Sequence, residues 1–532
     1  METMFILFLQ SFQKLNFNPF YFIPFLLFVI LLYKNLLTSP TSRKNFPPSP
    51  PKLPIIGNLH QLNPLLHRSL HSLSRRYGHL MLLHFGGKPT LVVSSVDAAR
   101  EIMKTHDIIF SNRPKSRVAS SFFYDCNDVA FSPYGEYWKQ MRSICALQLL
   151  SNKRVSSFRR IREEEVALVI EKIKKFQSSV VNLTDILMSF TNDVISRAAF
   201  GMKCNSNNNN SDSNSNNKGG MNFKELLFEA IELLQDFCLG DFVPWLSWVD
   251  RVRGLEGRVQ KVAKGLDEFL DTVVQEHQNL LCSKENTDAE SEEGKNAGNF
   301  VDFLLEFRRE KKNVFLSDDI KAITRMKAIT LDVFAAGTEP IYALIEWTMC
   351  ELIRHPKIMK ELQKEVRKIP GPRVTEDDLG KLVYLKAVIK EALRLHPPAP
   401  LLLFREPSQD VKLFGYDIKA GTQVIINAWA IQRDINFWDE PEEFRRERFL
   451  DGNTFDFKGP EMQYIPFGGG RRICPGISFT IVNVELIIAN LIYEFDWKVP
   501  DGIDELDVAE SVGFTVHKLI PLKVVATPFT CK

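Results

Sequence analysis

A chain of 532 residues, one quarter of them charged and 45% hydrophobic, has the composition of a globular protein with a sizeable core. A net charge of +2 excludes a general attraction to nucleic acid. The eight cysteines (Cys126, Cys145, Cys204, Cys238, Cys282, Cys350, Cys474, Cys531) include no C-x-x-C, which argues against zinc and iron–sulfur sites and for reduced thiols on the cytosolic side.

Pro19–Tyr33 is almost wholly apolar, and Leu36-Leu37 extend it past Lys34 and Asn35. A membrane span needs roughly 20 such residues, which this segment supplies if Lys34 snorkels to the interface. A cleaved signal peptide is the competing reading, but the block is bulky to its end and no A-x-A-like site follows. Lys34, Arg43, Lys44 and Lys52 follow the segment while Lys14 and the α-amino group precede it, so the C-terminal bulk is expected in the cytosol. The expected organisation is an anchor over 1–37, a basic, Pro-rich hinge over 38–58 and one large domain over 59–532. Pro47-Pro48-Ser49-Pro50-Pro51 within the hinge favours a stiff, extended connector.

The remainder reads as mostly helical with small β-sheets. Leu80–Phe85 and Thr90–Ser94, split by Gly86-Gly87-Lys88-Pro89, predict a hairpin. Trp138 and Arg142 stand at i and i+4 and share a helix face. Asn205–Gly220 is Asn/Ser-rich, Ser283–Asn299 is similarly polar, and both read as surface insertions. Met221–Phe237 between them predicts an amphipathic helix. A long helix is expected from an N-cap at Ser317 to about Arg354. At its middle stand Ala335-Ala336-Gly337-Thr338-Glu339-Pro340-Ile341. Pro340 has no N–H for the Ala336 carbonyl and is expected to kink the helix. Thr338, two residues away at about 100° each, points to roughly the opposite face from position 340. Leu385–His396 predicts another helix, stopped by Pro397-Pro398, with Glu391 and Arg394 on one face. Val411–Phe414 and Thr422–Asn427, around Gly415 and Gly421, predict a second hairpin.

Phe467-Gly468-Gly469-Gly470-Arg471-Arg472-Ile473-Cys474-Pro475-Gly476 carries the most information. Cys474 can supply a thiolate to a haem iron, Arg472 can pair with a propionate, and glycines let backbone pass close to a flat macrocycle. The stretch fits F-x-x-G-x-R-x-C-x-G at Phe467, Gly470, Arg472, Cys474 and Gly476, and it resembles the haem-binding loop of the cytochrome P-450 superfamily. Three other places agree: Glu391-Ala392-Leu393-Arg394, Phe444-Arg445-Arg446-Glu447-Arg448-Phe449 and Trp138-Lys139-Gln140-Met141-Arg142. The hinge, Phe131–Trp138 and the Cys loop are most similar to plant A-type microsomal members that make specialised metabolites.

That resemblance implies a cytochrome P-450 fold, mainly α with small β-sheets, as a single haem-thiolate domain behind the anchor. It implies haem b, with Cys474 as axial iron ligand and Arg472, Trp138, Arg142 and Arg405 near the propionates. Glu391, Arg394 and Arg448 become a structural charge cluster. Glu339 and Gly337 fall in the oxygen-activation segment, where Pro340 takes the place of the usual Thr. The implied activity is insertion of one oxygen atom from O₂ into a small, largely hydrophobic plant metabolite. Electrons would come from NADPH through NADPH–cytochrome reductase at the endoplasmic-reticulum membrane, with Lys139, Lys153, Arg154 and Arg471 as the docking charges. The substrate wall would draw on Arg117–Phe123, Phe334–Thr338, Ala399–Leu403 and Gly513–Thr515. Pro340 keeps a second reading open, a haem-thiolate dehydratase, lyase, or oxidative coupling or rearrangement enzyme with atypical oxygen activation. A non-catalytic haem sensor is the third.

Overall fold

A computed structural model describes residues 45–176, 178–203, 223–236, 238–285, 298–310, 319–450, 455–503 and 505–529, with a few helical positions between 23 and 30. The anchor expected over 1–37 lies almost wholly outside the described residues, as do the cap expected at Ser317 and the insertion Asn205–Gly220.

Helices of eight residues or more include α1 (Leu66–Tyr77), α2 (Glu136–Ser143), α3 (Arg159–Lys174), α4 (Leu183–Phe200), α5 (Phe223–Gln235), α6 (Leu255–Glu285), α7 (Asp319–Arg354), α8 (Val383–Leu395) and α9 (Ile477–Glu494). The amphipathic helix expected over Met221–Phe237 is α5, and the one expected over Leu385–His396 is α8. Ser283, read as the start of a polar insertion, is still in the last turn of α6. The cause of α4's end is visible: Gly201 takes φ +72° and donates its N–H to the Arg197 carbonyl at 2.9 Å, a left-handed C-terminal stop. α7 packs along α4 and touches α9 and α8, so it runs through the middle of the largest apolar cluster. α7 and α9 are apolar and long enough to cross a membrane, yet 67% of each apolar window is buried inside the protein, as core helices are.

Leu80–Phe85 (β1) pairs antiparallel with Lys88–Val93 (β2), from Leu80 opposite Val93 to Phe85 opposite Lys88. The second expected hairpin is not formed. Gln423–Ile426, β4 in chain order after β3 (Val180–Asn182), leaves the Val411–Leu413 strand and pairs parallel with β2, Thr90 opposite Gln423. The reason is burial: all four β4 residues are buried, which suits a parallel strand covered on both faces better than a surface hairpin arm. β3, Lys523–Pro528 (β6) and Phe495–Lys498 (β5) make a separate antiparallel sheet in the order β3-β6-β5.

Residues from Pro47 onward belong to the main compact unit, apart from Phe414–Asp417, which groups with Asn45 and Phe46 in a second, small unit. In the small unit, the Asn45 N–H donates to the Asp417 carboxylate at 3.0 Å. In the main unit, the part of the expected connector after Pro47 is fastened to β1: Leu82 donates to the Pro48 carbonyl at 2.9 Å and Asn58 to that of His84 at 2.7 Å.

Candidate active site

The Cys loop is a tight turn leading into α9. Cys474 donates its N–H to the Phe467 carbonyl at 3.1 Å, and Gly476 donates to Cys474 Sγ at 3.4 Å. Gly470, at φ +66°, has no room for a side chain: a Cβ there would lie 2.3 Å from the Met103 carbonyl oxygen. Phe467 meets Phe457 edge-on with ring centroids 5.2 Å apart. Arg142, on α2, donates to the carbonyl of Ile473 and so brings a guanidinium to the residue beside the sulfur. Burial pushes the Cys474 thiol up, while the Gly476 N–H and the Arg142 charge favour the anion.

Around the loop the structure gathers an excess of buried positive charge. Arg472 donates to the carbonyls of Ser111 at 2.8 Å, Val129 at 3.1 Å and Ser132 at 2.6 Å, with its guanidinium 4.2 Å from the Trp138 ring centroid. The single N–H of Trp138 is committed to the Val129 carbonyl at 3.0 Å. Arg405 donates to the Gly469 carbonyl at 2.6 Å and to Asp107 at 3.4 Å. Arg113, absent from the sequence reading, joins them through the carbonyls of Ala130, Leu403 and Phe404 at 2.9, 2.8 and 2.7 Å. Its only local sign is Pro114, which biases residue 113 to an extended backbone. Burial and then repulsion from Arg472 and Arg405 weaken proton binding by Arg113, and burial with Arg405 lowers Arg472 to about 9. A dianionic ligand, such as a pair of propionates, answers that charge excess, and the adjacent sulfur answers an iron. The residues present therefore fit haem b.

A cavity of about 630 Å³ lies against α7. Each of the four expected wall segments contributes to it, through Val118, Ala336, Leu401 and Phe514 among others. Phe131 and Asp332, outside those four segments, line it as well, and so does Gln235 at the end of α5. α7 stays helical through Pro340, and Pro340 and Glu339 both line the cavity. The Thr338 hydroxyl is buried and donates back to the Phe334 carbonyl at 2.8 Å. Gly337 serves close packing: a Cβ there would lie 3.0 Å from Ile195 Cδ1 of α4. Glu339 is 8% exposed, and burial pushes its carboxyl up to about 7 against hydrogen bonds from Thr515 and Gln235.

A family model for cytochrome P450 matches residues 47–522. The chain belongs to the cytochrome P450 family. It is similar to "Cytochrome P450 736A117" of Prunus mume, 49% identical over 532 residues that cover 98% of this chain and 99% of the relative. "Norfluorocurarine oxidase" of Strychnos sp is 48% identical, covering 97% of this chain and 100% of the relative. "Tabersonine/lochnericine 19-hydroxylase" of Catharanthus roseus is 46% identical, covering 96% and 97%. A solved zebra fish cytochrome P450 with Abiraterone superimposes with a TM-score of 0.67 at 23% identity, over 87% of this chain and 100% of that one, and it shows the P450 fold. The protein is a P450 monooxygenase, and the family implies a haem-thiolate cofactor.

In this P450, Glu391 and Arg394 of α8 form a fully buried two-point pair at 2.7 and 2.9 Å. Arg394 also donates to the carbonyls of Gln432, Pro441 and Glu443 at 3.0, 2.8 and 3.1 Å. Glu391 accepts in addition from the Arg445 N–H at 2.7 Å and from Arg448 Nε at 3.3 Å. The three side chains thus clamp α8 to the segments 432–448.

Proposed function

We propose that this chain hydroxylates or otherwise oxidises a small, largely hydrophobic plant metabolite, RH + O₂ + NADPH + H⁺ → ROH + H₂O + NADP⁺, with electrons relayed by NADPH–cytochrome reductase. The observation that carries the reading is the Cys474 loop, with its sulfur flanked by Gly476 and Arg142 and by the excess of buried arginines. Cys474 would hold the iron of haem b, and Arg113, Arg142, Arg405 and Arg472 would hold its propionates. The bound group would supply oxygen activation, for which a thiolate ligand favours O–O cleavage. The cavity walls orient the substrate and exclude water, and its apolar lining selects for a compound with few polar groups. Relatives named as an oxidase and a hydroxylase support oxidation of a specialised metabolite.

The apolar segment Pro19–Tyr33 followed by basic residues supports an N-terminal anchor in the endoplasmic-reticulum membrane with the catalytic domain in the cytosol. Lys139, Lys153, Arg154 and Arg471 are the proposed reductase-facing charges; Lys139 is held by Glu136 at 2.6 Å and Arg471 lies 3.6 Å from Asp107.

Pro340 in the cavity wall favours a second reading, a haem-thiolate lyase, dehydratase or coupling enzyme. Product analysis under ¹⁸O₂, after a metabolite screen with reductase and NADPH, separates the two. Label in the product is expected; unlabelled product with sustained turnover selects the second reading.

A further inference from the structure

At the centre of α7 no alcohol reaches the cavity. Pro340 carries neither a hydroxyl nor an N–H, and the Thr338 hydroxyl is spent on the Phe334 carbonyl. Glu339 is therefore the polar group of that turn that lines the cavity, and among the described residues no ion pair holds it. Two neutral side chains hold it instead. Gln235, at the end of α5, donates from Nε2 to Glu339 Oε2 at 3.4 Å, and the Thr515 hydroxyl favours the charged form of the same carboxyl. Both line the same cavity. Gly513 makes the arrangement possible, because a Cβ at that position would lie 2.1 Å from Gln235 Oε1.

We propose that Gln235 and Thr515 replace the alcohol missing at position 340, holding the Glu339 carboxyl at the cavity wall as the group that passes protons to the reaction. This rests on the monooxygenase reading. In the balance above, one oxygen atom of O₂ leaves as water and takes up two protons, while NADPH supplies both electrons through the reductase. Glu339 gives a proton to that departing oxygen and takes one back from solvent water, so the carboxyl ends unchanged. Gln235 and Thr515 are positioning residues: their donors stabilise the carboxylate left after each transfer. Of the charged groups lining the cavity, Asp332 is held by the Val129 N–H at 2.6 Å and Arg113 by the Ala130, Leu403 and Phe404 carbonyls. Asp236, next to Gln235, lies 3.6 Å from Arg253, and Tyr342, farther along α7, stays neutral because burial and the charges of Glu339 and Glu346 oppose its ionisation. At neutral pH burial leaves Glu339 in both protonation forms.

The test uses full-length holoenzyme with reductase and NADPH, with no added substrate. It reads the protonated-carboxyl infrared band across pH, assigned by its loss in Glu339→Gln, and the hydrogen peroxide released per NADPH oxidised. Gln235→Leu and Thr515→Val should each raise the infrared midpoint by about one pH unit. Each should also change the peroxide yield by about threefold, the worth of one hydrogen bond. Returning the hydroxyl with Thr515→Ser should bring both values back, and Pro340→Thr should restore the peroxide yield in the Gln235→Leu background. A thiolate-type carbon monoxide band in every variant certifies the fold. Unchanged midpoint and peroxide yield in both variants would overturn this proposal alone. Unlabelled product with sustained turnover under ¹⁸O₂ would overturn the monooxygenase reading and this proposal with it.

Discussion

The Asp332 carboxylate of α7 accepts the backbone N–H of Val129 at 2.6 Å and lies against the carboxyl of Asp128. Asp128 Oδ2 is engaged by the Phe131 N–H at 2.9 Å, whereas its buried Oδ1 has no donor unless Asp332 carries a proton. Burial and the Asp128 charge push Asp332 well above the ordinary carboxylate range, so the pair shares one proton. The loop they hold supplies the Val129, Ala130 and Ser132 carbonyls that receive Arg472 and Arg113.

From that arrangement, Asp332→Asn should be nearly neutral, because an amide offers the same acceptor and donor as a protonated acid. Asp332→Leu leaves the Val129 N–H and Asp128 Oδ1 unpaired and should cost about 1–3 kcal/mol for each orphaned group. Thermal melts of the holoenzyme check the order. Equal losses in the two variants would show that side-chain volume, and not the shared proton, matters at this position.

The buried cluster on α8 predicts a graded response. Arg394→Met strands the fully buried Glu391 and abandons three backbone carbonyls, for a cost of about 3–5 kcal/mol. Arg448→Met should cost less, since Arg448 reaches Glu391 through one contact at 3.3 Å and its side chain is 9% exposed. Urea unfolding followed by circular dichroism ranks the two. An Arg448 variant as unstable as the Arg394 variant would contradict the geometry.

Why these residues differ in legibility follows from sequence separation. Glu391 and Arg394 are one helical step apart, so helix geometry alone puts them on one face, and the Cys loop is a contiguous stretch. Arg113 could not be read in the same way, because its partners at 403 and 404 arrive from about 290 residues away. The pairing of β4 with β2 was missed for a related reason. An apolar run announces a buried strand but not its neighbour, and the nearby Gly415 and Gly421 suggested a local hairpin that burial of β4 overrides. Gly337 was legible as a glycine in a special segment, yet its contact with Ile195 depends on how α4 crosses α7.

The arginines around the Cys loop predict weaker retention of haem when one is removed. Arg113→Leu loses one charge of the excess and also releases the Ala130, Leu403 and Phe404 carbonyls, so the loop and the 403–404 segment come apart together. Haem transfer to apomyoglobin should quicken by about tenfold, the effect of roughly one charge-assisted hydrogen bond. Arg113→Lys keeps the charge but not the fork of donors, and should fall between the two. Identical transfer rates in all three proteins would remove Arg113 from the cofactor site.

Glu339 predicts how stability depends on pH. Burial raises its carboxyl from an ordinary value of 4.5 to about 7, so the native state holds this proton more tightly than the unfolded chain does. The contribution is fully present below pH 4.5 and is lost as pH rises through about 7, for a total of up to about 3 kcal/mol. Glu339→Gln imitates the neutral acid at every pH. The variant should match the wild type near pH 5 and exceed it near pH 8.5, where the wild type must bury a charge that Gln235 and Thr515 partly solvate. Melting curves of both proteins at the two pH values test the sign. A difference that is constant with pH, or that favours the wild type on the alkaline side, would mean that the carboxyl is solvated well enough to ionise without penalty.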